Sequence, residues 1–258
     1  ESYILYREDR ARKRVARERL CAQLPSVPAL PGVLASVQKE FPGEEYELAH
    51  LSAKFQSFAK PDAADGQLLA MLVKAAVELT TQEAPRWEII AARLLMVQFD
   101  RALAERLAAR HIETFAQKVA FLTEEGLYGD YILQHYTPAE LDEAAGFIDL
   151  SRNDLFTYAG LQLLLDRYVI RTHQGAPLES PQEMFLGIAL HLAMEERASE
   201  RMGWVRRFYD MLSTLKVTMA TPTLSNARKP FHQLSSCFID TVPDSLDGIY
   251  RSIDNFAR

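Results

Sequence analysis

Cysteine is almost absent from this chain: Cys21 and Cys237 are the only two in 258 residues. Two thiols so far apart cannot form a Cys₂His₂ or Cys₄ zinc site by themselves, and no C-x-x-C is present. A disulfide scaffold is excluded on the same count. If Cys237 carries chemistry, it does so as a reactive thiol or with a partner outside this sequence. Long apolar runs are also missing. None approaches the roughly 18–20 residues that span a bilayer. The N-terminal ESYILYREDRARKR has neither the apolar region nor the small-residue cleavage site of a signal peptide. The expectation is therefore a soluble, cytoplasmic protein with no membrane contact.

Most motifs with a known mechanism are missing too. There is no G-x-x-x-x-G-K-[ST], G-x-G-x-x-G, H-E-x-x-H or G-x-S-x-G. The histidines, at 50, 111, 135, 173, 191 and 232, show no metal-ligand spacing. Each is expected at the surface or as a satisfied core group, and no metal site is predicted.

What is present is apolar mass: 48% of the residues are hydrophobic, enough for a sizeable core in one or two domains. The net charge of −6 argues against general nucleic-acid binding. Charge is uneven, because residues 1–19 hold seven basic and four acidic groups and the rest carries −9. Arg7, Arg10, Arg12, Lys13, Arg14, Arg17 and Arg19 follow Tyr3-Ile-Leu-Tyr6 with no Gly or Pro before Pro25, which predicts one helix with a basic face. That face reads as a solvated surface or as the tail of an upstream unit.

Pro25, Pro28, Pro31 and Pro42 break any long helix over 25–66. The stretch reads as an interdomain connector in preference to a Pro-rich ligand, with a short extended piece over 48–58. From Gly66 the pattern is helical: Leu68, Leu69, Leu72, Val73, Ala76 and Leu79 share one face. A second helix follows Pro85, and a third spans 112–125. Thr137-Pro-Ala-Glu140 and Ser180-Pro-Gln-Glu183 are capping boxes with Pro at the first helical position. Between them Ser151-Arg-Asn-Asp154 is expected to start a helix through Leu165. A further helix covers about 198–215.

After Leu215 the texture changes. Thr221, Thr223, Ser225 and Asn226 are expected in a loop, and Ser235, Ser236 and Cys237 on a short strand, 234–239, ended by TVPDS. Residues 244–258 read as helical. Hydroxyls and exposed backbone N–H groups suit an anionic, hydroxylated ligand such as a nucleotide. A cysteine among them reads either as a redox centre or as a small buried residue in a polar connector.

ATPTLSNARKPFHQLSSCFI, residues 220–239, resembles the start of the catalytic domain of the ribonucleotide reductase large subunit. The matching elements are Thr221-Pro-Thr-Leu-Ser225 and Gln233-Leu-Ser-Ser-Cys237. FIDLSRNDLFTYAGLQLLLDRYVIR (147–171), ESPQEMFL (179–186), RRFYDMLST (206–214) and residues 72–95 are similar to helical stretches of the same family in the same order. YILYREDRARKR looks like the last helix of an ATP-cone. The resemblance implies a mainly α fold, a helical N-terminal domain leading into the first strand of a ten-stranded α/β barrel. It divides the chain into 1–24 (ATP-cone helix), 25–66 (connector), 67–215 (helical domain) and 216–258 (start of the barrel).

The resemblance also implies radical reduction of a ribonucleotide to a deoxyribonucleotide. Cys237 matches one member of the redox-active cysteine pair, Thr221 and Ser236 match substrate-contacting positions, and Asp244, Ser245 and Leu246 match the effector site. The implied ligands are ATP and deoxynucleotide effectors, with no cofactor in this chain and the radical supplied by a separate metal-containing small subunit. Implied partners are that subunit, thioredoxin or glutaredoxin, and a second large subunit; nucleic acid is not among them. The fragment alone is expected to be inactive. The alternative is a non-catalytic helical module for nucleotide sensing or dimerisation.

Overall fold

The structure is a computed structural model that describes the backbone of residues 2–60, 62–237 and 239–257, with side chains described from residue 11. Side chains of the basic residues Arg7 and Arg10, together with Phe238 of the expected strand and the terminal Arg258, lie outside the described residues.

The described residues are mainly α. Five helices build the first half: α1 (Ser2–Gln23), α2 (Leu30–Glu40), α3 (Leu48–Gln56), α4 (Asp65–Glu78) and α5 (Trp87–Ala108). The second half adds α6 (Phe115–Glu124), α7 (Tyr131–His135), α8 (Pro138–Ala145), α9 (Tyr158–Arg167), α10 (Pro181–Ala193), α11 (Ala198–Ser213), α12 (Thr221–Asn226) and α13 (Leu246–Ala257). No described helix is long and apolar enough to cross a membrane.

Two hydrophobic cores share one helix. Trp87, Ile90, Ala91, Leu94 and Val97 of α5 enter the first core, with Leu30, Leu34, Leu51, Phe55, Leu69 and Leu72. Ala92, Met96, Phe99 and Leu103 of the same helix enter the second. Both sets follow helical spacing but lie on different faces, so α5 carries two apolar faces and serves as the wall between cores. The second core is closed by α10, whose Met184, Leu186, Ile188, Ala189 and Leu190 are all buried.

Within the stretch 25–66, expected as a connector, the described residues include helices α2 and α3 with a 3-10 turn between them, and α4 starts at Asp65. Pro31 sits in the first turn of α2, where its missing N–H removes no helix bond. Trp87 Nε1 donates to the Glu45 carbonyl at 2.9 Å, sealing the turn onto α5. The expected extended piece over 48–58 is α3, because Leu48, Leu51 and Phe55 recur at helical spacing on the first core.

The capping boxes at Thr137 and Ser180 form as the sequence predicts, each hydroxyl accepting from the N–H of the Glu three residues on. A third, Thr114 with Gln117, starts α6 three residues later than Ile112. The helix expected from Ser151 splits. Residues Leu150–Leu155 form a 3-10 turn capped by Asp149, Phe156 is extended, and Thr157 caps α9. At the C-terminal side, the expected strand 234–239 is irregular at 234–237 and 239. A strand needs a neighbour for its backbone N–H and C=O groups, and the described residues supply none.

Candidate functional site

Residues 221–226, expected as a loop, form α12. Ala220 is extended and Pro222 lies in the first turn, so proline again starts a helix. Thr221 is exposed at its start, while Thr223 is buried beneath it. Two bonds fold the following segment back onto α12: Asn226 Nδ2 donates to the Gln233 carbonyl at 3.0 Å, and Thr223 Oγ1 donates to the Leu234 carbonyl at 3.5 Å. The hydroxyl-rich helix is therefore joined to the start of the Gln233–Cys237 run, at Gln233 and Leu234.

A charged knot that sequence reasoning missed anchors this helix. Arg228 and Glu179 are both completely buried. Arg228 Nε donates to Glu179 Oε1 and Oε2 at 3.0 and 3.1 Å, and its Nη2 also contacts Oε1. The remaining donors reach carbonyls: Nη1 to Leu224 at 2.8 Å and Nη2 to Tyr168 at 2.7 Å. Glu179 accepts also from the Ile170 N–H and the Tyr128 hydroxyl, both at 2.8 Å. Burial opposes the charge on Arg228, but the Glu179 carboxylate outweighs it and raises the guanidinium pKa. Burial first, then Glu179, pushes the Tyr128 phenol well above its ordinary value. Gly187 of α10 makes room, since a Cβ there would lie 2.7 Å from Arg228 Cδ.

A second brace uses rings. Tyr131 Oη donates to the Ala227 carbonyl at 2.9 Å, and His191 Nδ1 lies 3.0 Å from Tyr131 Oη. His232 packs on both, with centroids 4.6 Å from Tyr131 and 5.3 Å from His191. Burial, then His232, lowers the His191 pKa from 6.5 to about 4.

Tyr168, also missed, joins the knot to the helix. Its hydroxyl lies 3.3 Å from Thr221 Oγ1. The only prior signal was its place inside a helical stretch; nothing in the sequence pairs residue 168 with residue 221.

The other candidate residues sit in the open. Cys237 is a free, exposed thiol with Ser236 Oγ 3.7 Å from its sulfur. Cys21 is half-buried beside the first core, where burial raises its thiol pKa, partly offset by Arg17. Asp244 is exposed, Ser245 Oγ accepts from the Gly248 N–H at 3.1 Å as a cap for α13, and Leu246 is 73% exposed. Their described bonds are local. Among the described residues no three His, Cys, Asp or Glu side chains cluster as a metal site.

The geometry is that of a helical platform that pins a hydroxyl-rich segment and presents a free thiol beyond it. Residues 154–232 match the family model described as ribonucleotide reductase, all-alpha domain. Over its whole length the chain is 58% identical to the ribonucleoside-diphosphate reductase subunit alpha of Treponema pallidum, covering 30% of that protein. It is 33% identical to the subunit of the same name from Chlamydia trachomatis, over 98% of this chain and 26% of the relative. It is 31% identical to ribonucleoside-diphosphate reductase 1 subunit alpha of Escherichia coli, over 69% of this chain and 23% of the relative. The chain thus belongs to the ribonucleotide reductase large-subunit family, and it spans less than a third of the length of these relatives.

Proposed function

We propose that this chain is the helical platform and first catalytic segment of a ribonucleoside-diphosphate reductase. In the full-length protein the reaction replaces the ribose 2′-hydroxyl with hydrogen. The oxygen leaves as water, and two thiols become one disulfide, supplying two electrons and two protons. Cys237 is one of those thiols, and its accessibility suits exchange with a dithiol reductant such as thioredoxin or glutaredoxin. Thr221 and Ser236 contact the ribonucleotide. Asp244, Ser245 and Leu246 belong to the site for ATP or deoxynucleotide effectors, and the radical comes from a separate metal-containing small subunit. The domain division at residues 24, 66 and 215 and assembly as a dimer of large subunits belong to the same reading. So do a cytoplasmic location and inactivity of the 258-residue chain by itself.

The observation that carries this reading is the bonding of α12 to Gln233 and Leu234, which ties the hydroxyl-rich helix to the run that continues to Ser236 and Cys237. Cys237→Ser in the full-length protein tests it. Turnover with a dithiol reductant should fall at least about a thousandfold, as for removal of one member of a catalytic unit. Retained turnover would sink the role given to Cys237.

A further inference from the structure

We propose that Tyr168 is a positioning residue that orients the hydroxyl of Thr221 toward an anionic ribonucleotide. The proposal rests on the reading of Thr221 as a substrate contact. Thr221 is exposed, whereas Tyr168 is buried at 7% exposure, so the bond between their hydroxyls runs from the interior to the surface. A hydroxyl can donate one proton and accept at its lone pairs. When the Tyr168 phenol donates to Thr221 Oγ1, the threonine proton turns outward, toward solvent or an anion. When Thr221 donates inward, its lone pairs face the anion. A bound anion selects the first arrangement, and donation from Tyr168 polarises the threonine O–H in the favourable sense.

Two features hold the phenol where this needs it. The Tyr168 carbonyl accepts from Arg228 Nη2 at 2.7 Å, while Nη1 of the same guanidinium binds the Leu224 carbonyl of α12 at 2.8 Å. Backbone at both ends of the Tyr168–Thr221 bond thus hangs on one fully buried group. The Tyr168 ring also forms a wall of a cavity of about 430 Å³, with Phe156, Phe185, Leu212 and Leu224. On its other side Tyr168 is one of the buried residues of the second core, and that packing restrains its rotamer.

The test uses full-length protein with its radical-generating partner. Tyr168→Phe should raise KM for the ribonucleoside diphosphate about three- to tenfold, the effect of one neutral hydrogen bond, with kcat within about twofold. Thr221→Ala should raise KM as well, and adding Tyr168→Phe to it should change nothing further. Tyr136→Phe is the control. It removes another buried phenol, which donates to the Leu190 carbonyl at 2.7 Å, and should leave KM unchanged. If Thr221→Ala raises KM while Tyr168→Phe does not, or acts equally with and without Thr221, the positioning role is overturned. If Thr221→Ala leaves KM unchanged, the substrate role of Thr221 fails first, and the proposal falls with it.

Discussion

Residues 221–228 and residues 233–246 are close in the chain and both rich in hydroxyls, yet they are held in opposite ways. The first stretch hangs on a buried guanidinium, a buried carboxylate and two tyrosines. The second is tied to the first by two bonds and is otherwise exposed at nearly every described position. Composition does not separate them; the partners that reach them do. A segment gains fixed geometry when its backbone carbonyls meet donors that cannot reach water.

The largest way to break this contrast is to empty the knot. Glu179→Ala leaves Arg228 as an uncompensated buried charge, and should destabilise the 258-residue chain by about 3–5 kcal/mol. The urea midpoint measures it. Cys237→Ser removes an exposed group with no buried bond, so its midpoint should stay within about 0.5 kcal/mol of the parent. Equal effects of the two substitutions would erase the distinction between pinned and open segments.

Much of the helical platform is legible in the residues themselves. The apolar spacing of Leu69, Leu72, Val73 and Ala76 gives α4, and the Ser180 and Thr137 boxes give the starts of α10 and α8. Proline misleads at Pro31, which reads as a breaker but sits in the first turn of α2, where a helix tolerates it; Pro222, in a run expected as a loop, likewise sits in the first turn of α12. The strand expected over 234–239 is missing at its described residues, 234–237 and 239, for another reason: its apolar pattern is real, but pairing is a property of the neighbour. The platform half of the site was illegible. Arg228 is one arginine in a polar run and Glu179 one acid before a cap, and they lie 49 residues apart. Only the packing of α10, with Gly187 at the contact, brings them together.

A smaller effect probes the ring brace through pH. Folded His191 titrates near 4 and an unfolded histidine near 6.5, so between these values the unfolded chain binds more protons. Its contribution therefore rises with pH across that window and is lost as pH falls through about 4. Unfolding in urea at pH 4.5 and 6.5 measures it. His191→Gln should reduce the gain in stability between these pH values by about 1–2 kcal/mol. The same gain in the parent and the variant would show that His191 is not held as the fold indicates.

The finest test falls on the seam between the two segments. Asn226 reaches across it with a single amide bond to the Gln233 carbonyl, in partly exposed surroundings. Asn226→Ala should lower global stability by no more than about 0.5–1 kcal/mol, the net worth of one such bond. Its local effect should be larger than its global one. If the open segment is held chiefly through this seam, amide exchange over 233–237 should speed up severalfold, while exchange around Arg228 stays unchanged. Acceleration in both stretches would mean that the knot and the thiol-bearing run open as one unit. Acceleration in neither would mean that the Asn226 bond contributes nothing to holding the start of this run on α12.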